Sequence, residues 1–327
     1  MARIISSLLI ICLCLCGCGN GDDAQKQTAV IRLATDLSEN DAAYRQLERF
    51  SQKVDERSEG QIQIKLYQEN EWDNSSSLLD YLEVGALEMI CLATSELTEV
   101  IPQYELYSYP SLFPNASDVY AYAASSAGQN ALAINPQYHC LGFAANGYFY
   151  FQHLFVADNL YSYNGGSFYS DGKTNEVMSA ALSWLSIRFA NEENNTPGLN
   201  HVLDEGYLNY LVDLNVINES SYLSDPDILY SLEIALINDD FWQDLSQEEQ
   251  EILTSAFLES LEEECTYQNN RELSELLPQG GVSFYPWSAE NKTQIYQYLR
   301  TMTQNYILES QNPLGNYFVP PTVTLEE

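Results

Sequence analysis

Apolar strands that alternate with amphipathic helices are the feature that most limits the folds open to this chain. Residues 29–34 form a buried-type apolar run, and residues 62–66 alternate apolar and polar side chains as a strand does. The stretch between them carries apolar residues at helical spacing. They are Tyr44, Leu47, Phe50 and Val54. Helices over 77–84 and 116–133 and strands over 87–93, 140–144 and 234–237 continue the pattern. It predicts an α/β fold with a largely parallel sheet.

Polar residues follow three of these predicted strands. Asp36 follows the first, Ser95 and Glu96 follow the strand at 87–93, and Asn146 follows the strand at 140–144. Ligands of such sheets bind beyond the carboxyl ends of the strands. We therefore expect these side chains to lie on one rim of the sheet and to bind a ligand there.

The rest of the chain predicts a second unit. At 327 residues the chain is longer than a single core usually holds, so two domains are expected. We assign residues 29–154 to a first lobe and residues 155–235 to a smaller second lobe. Residues 236–327 are expected to return to the first lobe and to supply helices that span both. A capping-box sequence at 246–249 predicts the start of a long helix.

The N-terminus predicts export. Arg3 precedes an apolar run over 4–15, which is too short to span a bilayer and is typical of a secretory signal peptide. The run ends in LCGC at 15–18, which resembles a bacterial lipoprotein signal. We expect cleavage before Cys18, lipid on its thiol, and a tether over 18–28. The alternative is an ordinary cleaved signal with unrelated cysteines.

Charge and cysteine usage narrow the class of protein. With 47 acidic and 13 basic residues and a net charge of −34, the surface is a poor partner for nucleic acid and for anionic lipid headgroups, and we expect no nucleic-acid partner. Cys91, Cys140 and Cys265 match no zinc or redox spacing, so we expect buried free thiols. A disulfide between Cys91 and Cys140 is the alternative.

No set of catalytic residues stands out. The chain has three histidines and contains neither a Gly-x-Ser-x-Gly nor a His-Glu-x-x-His sequence. Acidic pairs are too numerous for any one of them to be singled out as a catalytic dyad, and no loop has the ligand spacing of a calcium site. We therefore expect no enzymatic activity, no cofactor and no bound metal.

Four stretches, taken in order, resemble one known family, the DctP-type substrate-binding proteins of tripartite ATP-independent periplasmic (TRAP) transporters. They are IRLATDLS at 31–38, LLDYLEVGALEM at 78–89, YPSLF at 109–113 and NDDFWQDLSQEEQEIL at 238–253. The resemblance implies a two-lobe fold like that of type II periplasmic binding proteins, with a hinge and a long helix across both lobes. It implies a monomer that closes over a small solute and docks on membrane subunits of the transporter. The alternative is a ligand-sensing or surface-interaction lipoprotein on the same fold.

The resemblance also implies where the solute binds. Family members hold a substrate carboxylate with an arginine on the first strand of the second lobe, where this chain has Tyr169. A second arginine often follows an Asn-Gly pair, where this chain has Phe149. Trp72 lies in a loop that supplies pocket residues in the family, and Asp213 ends a stretch that is usually polar. Because both arginines are replaced, the resemblance predicts a neutral or cationic solute.

Arg188 is the one candidate that argues against this prediction. With Lys173 it is the only basic residue between Lys65 and Arg271. Arg188 replaces the missing arginine in one interpretation and forms a surface salt bridge in the other.

Overall fold

The computed structural model describes residues 28–68, 75–113, 115–135, 137–153, 167–170, 188–190, 200–203, 222–224, 229–270, 283–284 and 289–316. The strands are β1 (Ala29–Thr35), β2 (Ile62–Tyr67), β3 (Met89–Ala93), β4 (His139–Tyr148), β5 (Tyr150–His153), β6 (Ser167–Ser170), β7 (Arg188–Ala190), β8 (Asn200–Leu203), β9 (Tyr222–Ser224), β10 (Tyr230–Ile237) and β11 (Ser283–Phe284). The helices are α1 (Ala42–Arg57), α2 (Ser75–Glu83), α3 (Ala116–Ala124), α4 (Ser126–Leu132), α5 (Asp239–Asp244), α6 (Gln247–Asn270) and α7 (Ala289–Ser310). Short 3-10 helices cover Glu96–Glu99, Pro102–Ser108 and Pro313–Asn316. No helix in these ranges is long and apolar enough to cross a membrane.

The first sheet has the strand order β2-β1-β3-β10-β4. β1 pairs in parallel with β2 and β3, as the alternating pattern predicts. β10 comes from late in the chain and lies antiparallel between β3 and β4. β1, β3 and β4 therefore run in one direction, and their carboxyl ends meet at the same rim of the sheet.

Both faces of this sheet are covered, because successive side chains of a strand point to opposite sides. One hydrophobic cluster includes Met89 and Cys91 of β3 and packs with α1 and α6, for example with Phe50 and Phe257. The other includes Ile90 of β3 and packs with α2, α3 and the 3-10 helix Pro102–Ser108. A sheet buried on both faces explains why its strands read as nearly continuous apolar runs.

The long helix α6 begins where the sequence predicts. Ser246 Oγ accepts from Glu249 N (3.3 Å), and Glu249 Oε2 accepts from Ser246 N (2.7 Å), which is a reciprocal capping box. The helix packs so tightly on β4 that a Cβ on Gly142 would lie 2.5 Å from Phe257 Cδ1. Glycine is therefore required at that position by space and not by backbone conformation.

A second sheet has the order β11-β9-β5-β8-β6-β7. The chain passes from the first sheet to the second at Phe149 and is back in the first sheet after Leu229. Phe149 N donates to Leu229 O (3.3 Å), so the two crossings lie side by side. The strand memberships differ from the predicted lobe ranges: β5 belongs to the second sheet, and all of β10 belongs to the first.

Two local predictions need correction. The single helix expected over 116–133 is two helices, because Ser125 is extended (φ −80°, ψ 162°) and its side chain caps α4 by accepting from Gly128 N. The strand expected over 140–144 continues to Tyr148, because its pairing with β10 continues to Tyr230.

The cysteine prediction is confirmed. Cys91, Cys140 and Cys265 are free and buried. The alternative of a disulfide between Cys91 and Cys140 is therefore wrong. Cys140 instead contributes its sulfur to a buried hydrogen bond with the Tyr104 hydroxyl (3.2 Å).

Candidate functional site

A cavity of about 280 Å³ lies at the rim of the first sheet, directly beside the two crossings. Its walls come from the ends of β1, β3 and β4, the start of β10 and the 3-10 helix Pro102–Ser108. The described residues that line it are Asp36, Leu37, Ala93, Thr94, Ser95, Glu96, Tyr107, Ser108, Asn146, Phe149, Leu229, Tyr230, Ser231, Leu232 and Glu233.

Hydrogen bonds fix the strand ends that form this wall. Thr35 Oγ1 donates to Cys91 O (2.8 Å) and accepts from Leu37 N (3.2 Å), so the end of β1 is tied to β3 where Asp36 leaves the sheet. Thr94 N donates to Leu232 O (2.9 Å) and extends the pairing with β10 beyond β3. The backbone from which these polar residues extend is therefore held in place by hydrogen bonds.

Asn146 connects three elements at the cavity wall. It is 4% exposed. Its Oδ1 accepts from Ala43 N in the first turn of α1 (3.3 Å), and its Nδ2 donates to Glu233 Oε1 (3.4 Å). Gly147 follows with φ +108°, in the region that favours glycine, beside an irregularity in the β4–β10 pairing. The side chain of Asn146 thus holds Glu233 of β10 against β4.

Glu233 is the site residue that sequence reasoning missed most clearly. It lies within β10, is 2% exposed and lines the cavity. The sequence pattern predicts that this strand starts one residue later, at Ile234, and leaves Glu233 outside it. The available signal was a single carboxylate inside an otherwise apolar strand, YSLEIALI. Fully buried acidic residues are rare unless something pairs with them.

Aromatic residues form the apolar part of the wall. Tyr107, Phe149 and Tyr230 are 2%, 6% and 2% exposed. The Tyr107 hydroxyl is hydrogen-bonded to the Tyr122 hydroxyl (2.9 Å), and Tyr230 donates to Gln268 Oε1. These two hydrogen-bond partners lie outside the described lining of the cavity. Burial, first of all, raises the pKa of Tyr107 well above its ordinary value, so this residue stays neutral.

The described wall is acidic. It contains Asp36, Glu96 and Glu233, and no basic side chain is found among the described lining residues. Buried Cys91 lies behind the wall. Burial raises the pKa of its thiol well above the ordinary value, and the charges of Glu233 and Asp36 raise it further. The described part of the wall therefore contributes three carboxyl groups to the cavity.

The structure brings five of the predicted ligand-binding residues to this one cavity. They are Asp36, Ser95, Glu96, Asn146 and Phe149. Tyr169 and Arg188 lie on the adjacent strands β6 and β7 of the second sheet, with Ser167 paired to Arg188 and Tyr169 to Ala190. Trp72, Asp213 and Cys18 lie outside the described residues. The role of all of these residues in ligand binding stays a prediction.

The described residues offer binding groups and no metal centre. Within the described ranges, no group of three or more His, Cys, Asp or Glu side chains could hold a metal ion. The cavity can enclose a small molecule between aromatic rings and contact it with carboxylate, amide and hydroxyl groups. This is the usual composition of a small-molecule site.

Comparison of the sequence with known protein families identifies the family to which this chain belongs. Residues 33–154 and 205–310 match the sequence pattern of DctP, the bacterial extracellular solute-binding protein, family 7. No curated protein matches the chain significantly.

Solved structures of TRAP periplasmic solute-binding proteins share the fold. One from Ochrobactrum anthropi is 17% identical with a TM-score of 0.75, over 90% of this chain and 95% of that one. One from Desulfovibrio salexigens with bound orotic acid is 16% identical, with a TM-score of 0.72, over 89% and 96%. One from Haemophilus influenzae with bound L-gulonate is 14% identical, with a TM-score of 0.71, over 89% and 99%. The predicted two-lobe α/β fold is confirmed.

Proposed function

Because the chain belongs to the bacterial extracellular solute-binding proteins of family 7, we propose that it captures one small solute in the cavity beside the two crossings and delivers it to the membrane subunits of a TRAP transporter. The proposal includes no catalysis and no cofactor. The observation that carries it is the position of the cavity. Its wall includes Phe149 and Leu229, the residues at which the chain passes between the two sheets.

This position supports closure around a bound solute. Hinges are a few residues at element ends that absorb the change in backbone angles. Phe149 is the one residue between β4 and β5, and its amide is bonded to Leu229 on the neighbouring crossing. A solute that contacts both crossings and both sheets stabilises the closed arrangement over the open one.

Native mass spectrometry of freshly purified protein tests capture directly. We expect a small molecule to be retained at one copy per chain. Small-angle scattering should then show a smaller radius of gyration with this molecule than after its removal, and the melting temperature should rise with its concentration. A tightly bound solute that leaves the radius of gyration unchanged would contradict closure of a cleft.

The anchor is the second part of the proposal. We propose that Cys18 carries diacylglycerol, and that the lipid chains hold the protein at the outer face of the cell membrane. Cys18→Ala should release the mature protein from membranes. Cys16→Ala is the matched control, because it removes a thiol two positions away and should leave the protein membrane-bound. If the Cys18→Ala protein resists a salt wash as the unchanged protein does, the anchor lies elsewhere.

A further inference from the structure

We propose that Gln268 of α6 is a positioning residue of the solute cavity, which holds the side chain of Tyr230 in the cavity wall. The inference rests on the proposed solute-binding function. It adds to that function a residue that lies outside the described lining of the cavity and acts on it through Tyr230.

The side-chain amide of Gln268 is hydrogen-bonded at both ends. Its Nε2 donates to Ala145 O (3.2 Å) and to Glu264 Oε1 (3.2 Å), and its Oε1 accepts from the Tyr230 hydroxyl. A primary amide has two N–H donors, and both are used here. Turning the amide over would place its oxygen against a carbonyl and a carboxylate. The amide oxygen therefore faces Tyr230, and the tyrosine hydroxyl is the donor.

The two acceptors that orient this amide are themselves fixed. Glu264 is fully buried and pairs with Arg45 (2.9 Å) and Arg49 of α1. Ala145 is a buried residue of β4, in the part of the strand that pairs with β10. A hydrogen bond to a charged group is stronger than one between neutral groups. Gln268 is thus held by α1 through Glu264 and by the first sheet through Ala145.

The Tyr230 side chain is restrained by two different contacts. Its ring meets the ring of Tyr148 edge to face, with 4.8 Å between the centroids, and its hydroxyl donates to Gln268. Together these contacts limit rotation of the side chain about both of its χ angles. A side chain that is ordered before a solute arrives does not lose that freedom on binding. Gln268 therefore prepares the wall for the solute.

Tyr230 occupies a position where its placement affects the rest of the wall. It directly follows Leu229, whose carbonyl accepts from Phe149 N at the point where the chain passes between the two sheets. Leu229, Phe149 and Tyr230 all line the cavity. A displaced Tyr230 ring would change the shape of the cavity beside both crossings.

Nuclear magnetic resonance of the tyrosine hydroxyls tests the contact without a solute. The mature chain would carry tyrosine labelled with ¹³C at Cζ, and Tyr230→Phe and Tyr107→Phe would assign the two signals. Gln268→Met keeps the length of the side chain and removes the amide. It should shift the Tyr230 signal and speed exchange of its hydroxyl proton by about threefold to tenfold. Tyr107, whose hydroxyl is bonded to that of Tyr122, should not change.

Gln247→Met is the matched control. Gln247 Nε2 donates to Glu251 Oε1 (2.8 Å) in an exposed pair at the other end of α6, so the variant removes the same kind of bond far from the cavity. It should leave both tyrosine signals unchanged. Gln268→Glu is a second variant in case Gln268→Met does not fold. It keeps an acceptor for Tyr230 but loses both donors, and it should also shift the Tyr230 signal because the donors hold the group in place.

Release of a bound molecule tests the consequence for binding. The probe is the small molecule that native mass spectrometry finds on the unchanged protein, followed by its mass during dialysis. Gln268→Met should release it about twofold to tenfold faster, the cost of ordering one side chain on binding. In a protein that carries Tyr230→Phe, adding Gln268→Met should have little further effect, because the hydroxyl through which Gln268 acts is gone.

The outcomes separate this inference from the proposed function. An unchanged Tyr230 signal in Gln268→Met would overturn the inference. Equal changes at Tyr230 and Tyr107 would overturn it too, because they would show a general loosening of the fold, and so would equally faster release with and without Tyr230→Phe. A shifted Tyr230 signal in a protein that retains no molecule would overturn the proposed function and leave the contact standing. A shift at Tyr230 alone, with faster release only where its hydroxyl is present, supports both.

Discussion

Glu264 of α6 and Glu233 of β10 are both buried carboxylates near β4, and their surroundings differ. Glu264 is 0% exposed and pairs with Arg45 (2.9 Å) and Arg49, which α1 supplies. Glu233 is 2% exposed and lies in the cavity wall, where the described residues supply amide, hydroxyl and aromatic groups. Gln268 lies between the two sites, since it donates to Glu264 Oε1 (3.2 Å) and accepts from Tyr230.

The two carboxylates differ in their surroundings, because Glu264 lies in a contact between two helices and Glu233 lines a cavity. α1 carries four basic residues at four-residue spacing, and all four pair with acidic residues of α6. They are Arg45, Arg49, Lys53 and Arg57. In a chain with only 13 basic residues, a third of them therefore serve one helix contact. The fold therefore supplies the cations that pair with Glu264.

Removing the cations of Glu264 should have the largest effect on stability. Arg45→Met with Arg49→Met leaves a fully buried carboxylate without its two guanidinium partners. We expect a loss of about 3–5 kcal/mol in the free energy of unfolding, the usual cost of breaking a buried ion pair from one side. Urea unfolding followed by circular dichroism measures it.

Lys53→Met is the control for this prediction. Lys53 pairs with Glu263 (2.7 Å), whose side chain is 52% exposed. An exposed pair contributes less than about 1 kcal/mol. A double arginine variant that loses no more than Lys53→Met would show that the Glu264 cluster is not a structural unit.

Neutralising each carboxylate in turn tests the comparison itself. Glu264→Gln replaces charge-assisted hydrogen bonds by neutral ones and should lower stability by about 1.5–3 kcal/mol. Glu233→Gln keeps the shape of a side chain in a cavity wall and should lower stability by less than Glu264→Gln does. Equal losses from the two variants would mean that Glu233 is structural as well.

The ion pair between Arg32 and Glu88 is a third case, and its smaller contribution to stability depends on pH. Burial tends to raise the pKa of Glu88, but hydrogen bonds and charge from Arg32 outweigh it and lower the pKa below its ordinary value. The pair therefore adds stability that is fully present above about pH 4.5 and is lost as the pH falls through the lowered pKa. We expect Arg32→Met to cost about 1 kcal/mol or less near neutral pH.

That cost should disappear in acid, where Glu88 is protonated in both proteins. Melting temperatures of the unchanged protein and of Arg32→Met between pH 7 and pH 3 show whether the two curves converge. Arg32→Lys, which keeps the charge, should lie between them at pH 7. Parallel curves across this range would mean that Arg32 acts through packing of its aliphatic stem instead.

Some of the cavity-lining residues could be predicted from the sequence, because the position of a residue at a strand end depends on its own segment of the chain. Asp36, Ser95 and Asn146 each follow or close an apolar run that comes from its own segment, and parallel strands bring such ends to one rim. This reasoning could not predict that the cavity wall would include Glu233, Tyr107 and Tyr230. They reach the cavity because β10 and the 3-10 helix Pro102–Ser108 pack there, and that packing depends on contacts distant in sequence.

The sequence by itself determined those structural elements that depend only on residues close together in the chain. The capping box at Ser246 starts α6, the apolar stripe of α1 selects its buried face, and the alternation of strands with helices predicts the class of fold. Only the tertiary structure decided that β10 lies antiparallel between β3 and β4, that α1 neutralises Glu264, and that Glu233 enters a cavity wall. The physical reason is that pairing and burial of a charge depend on which segments meet, and segments far apart in the chain meet only after folding.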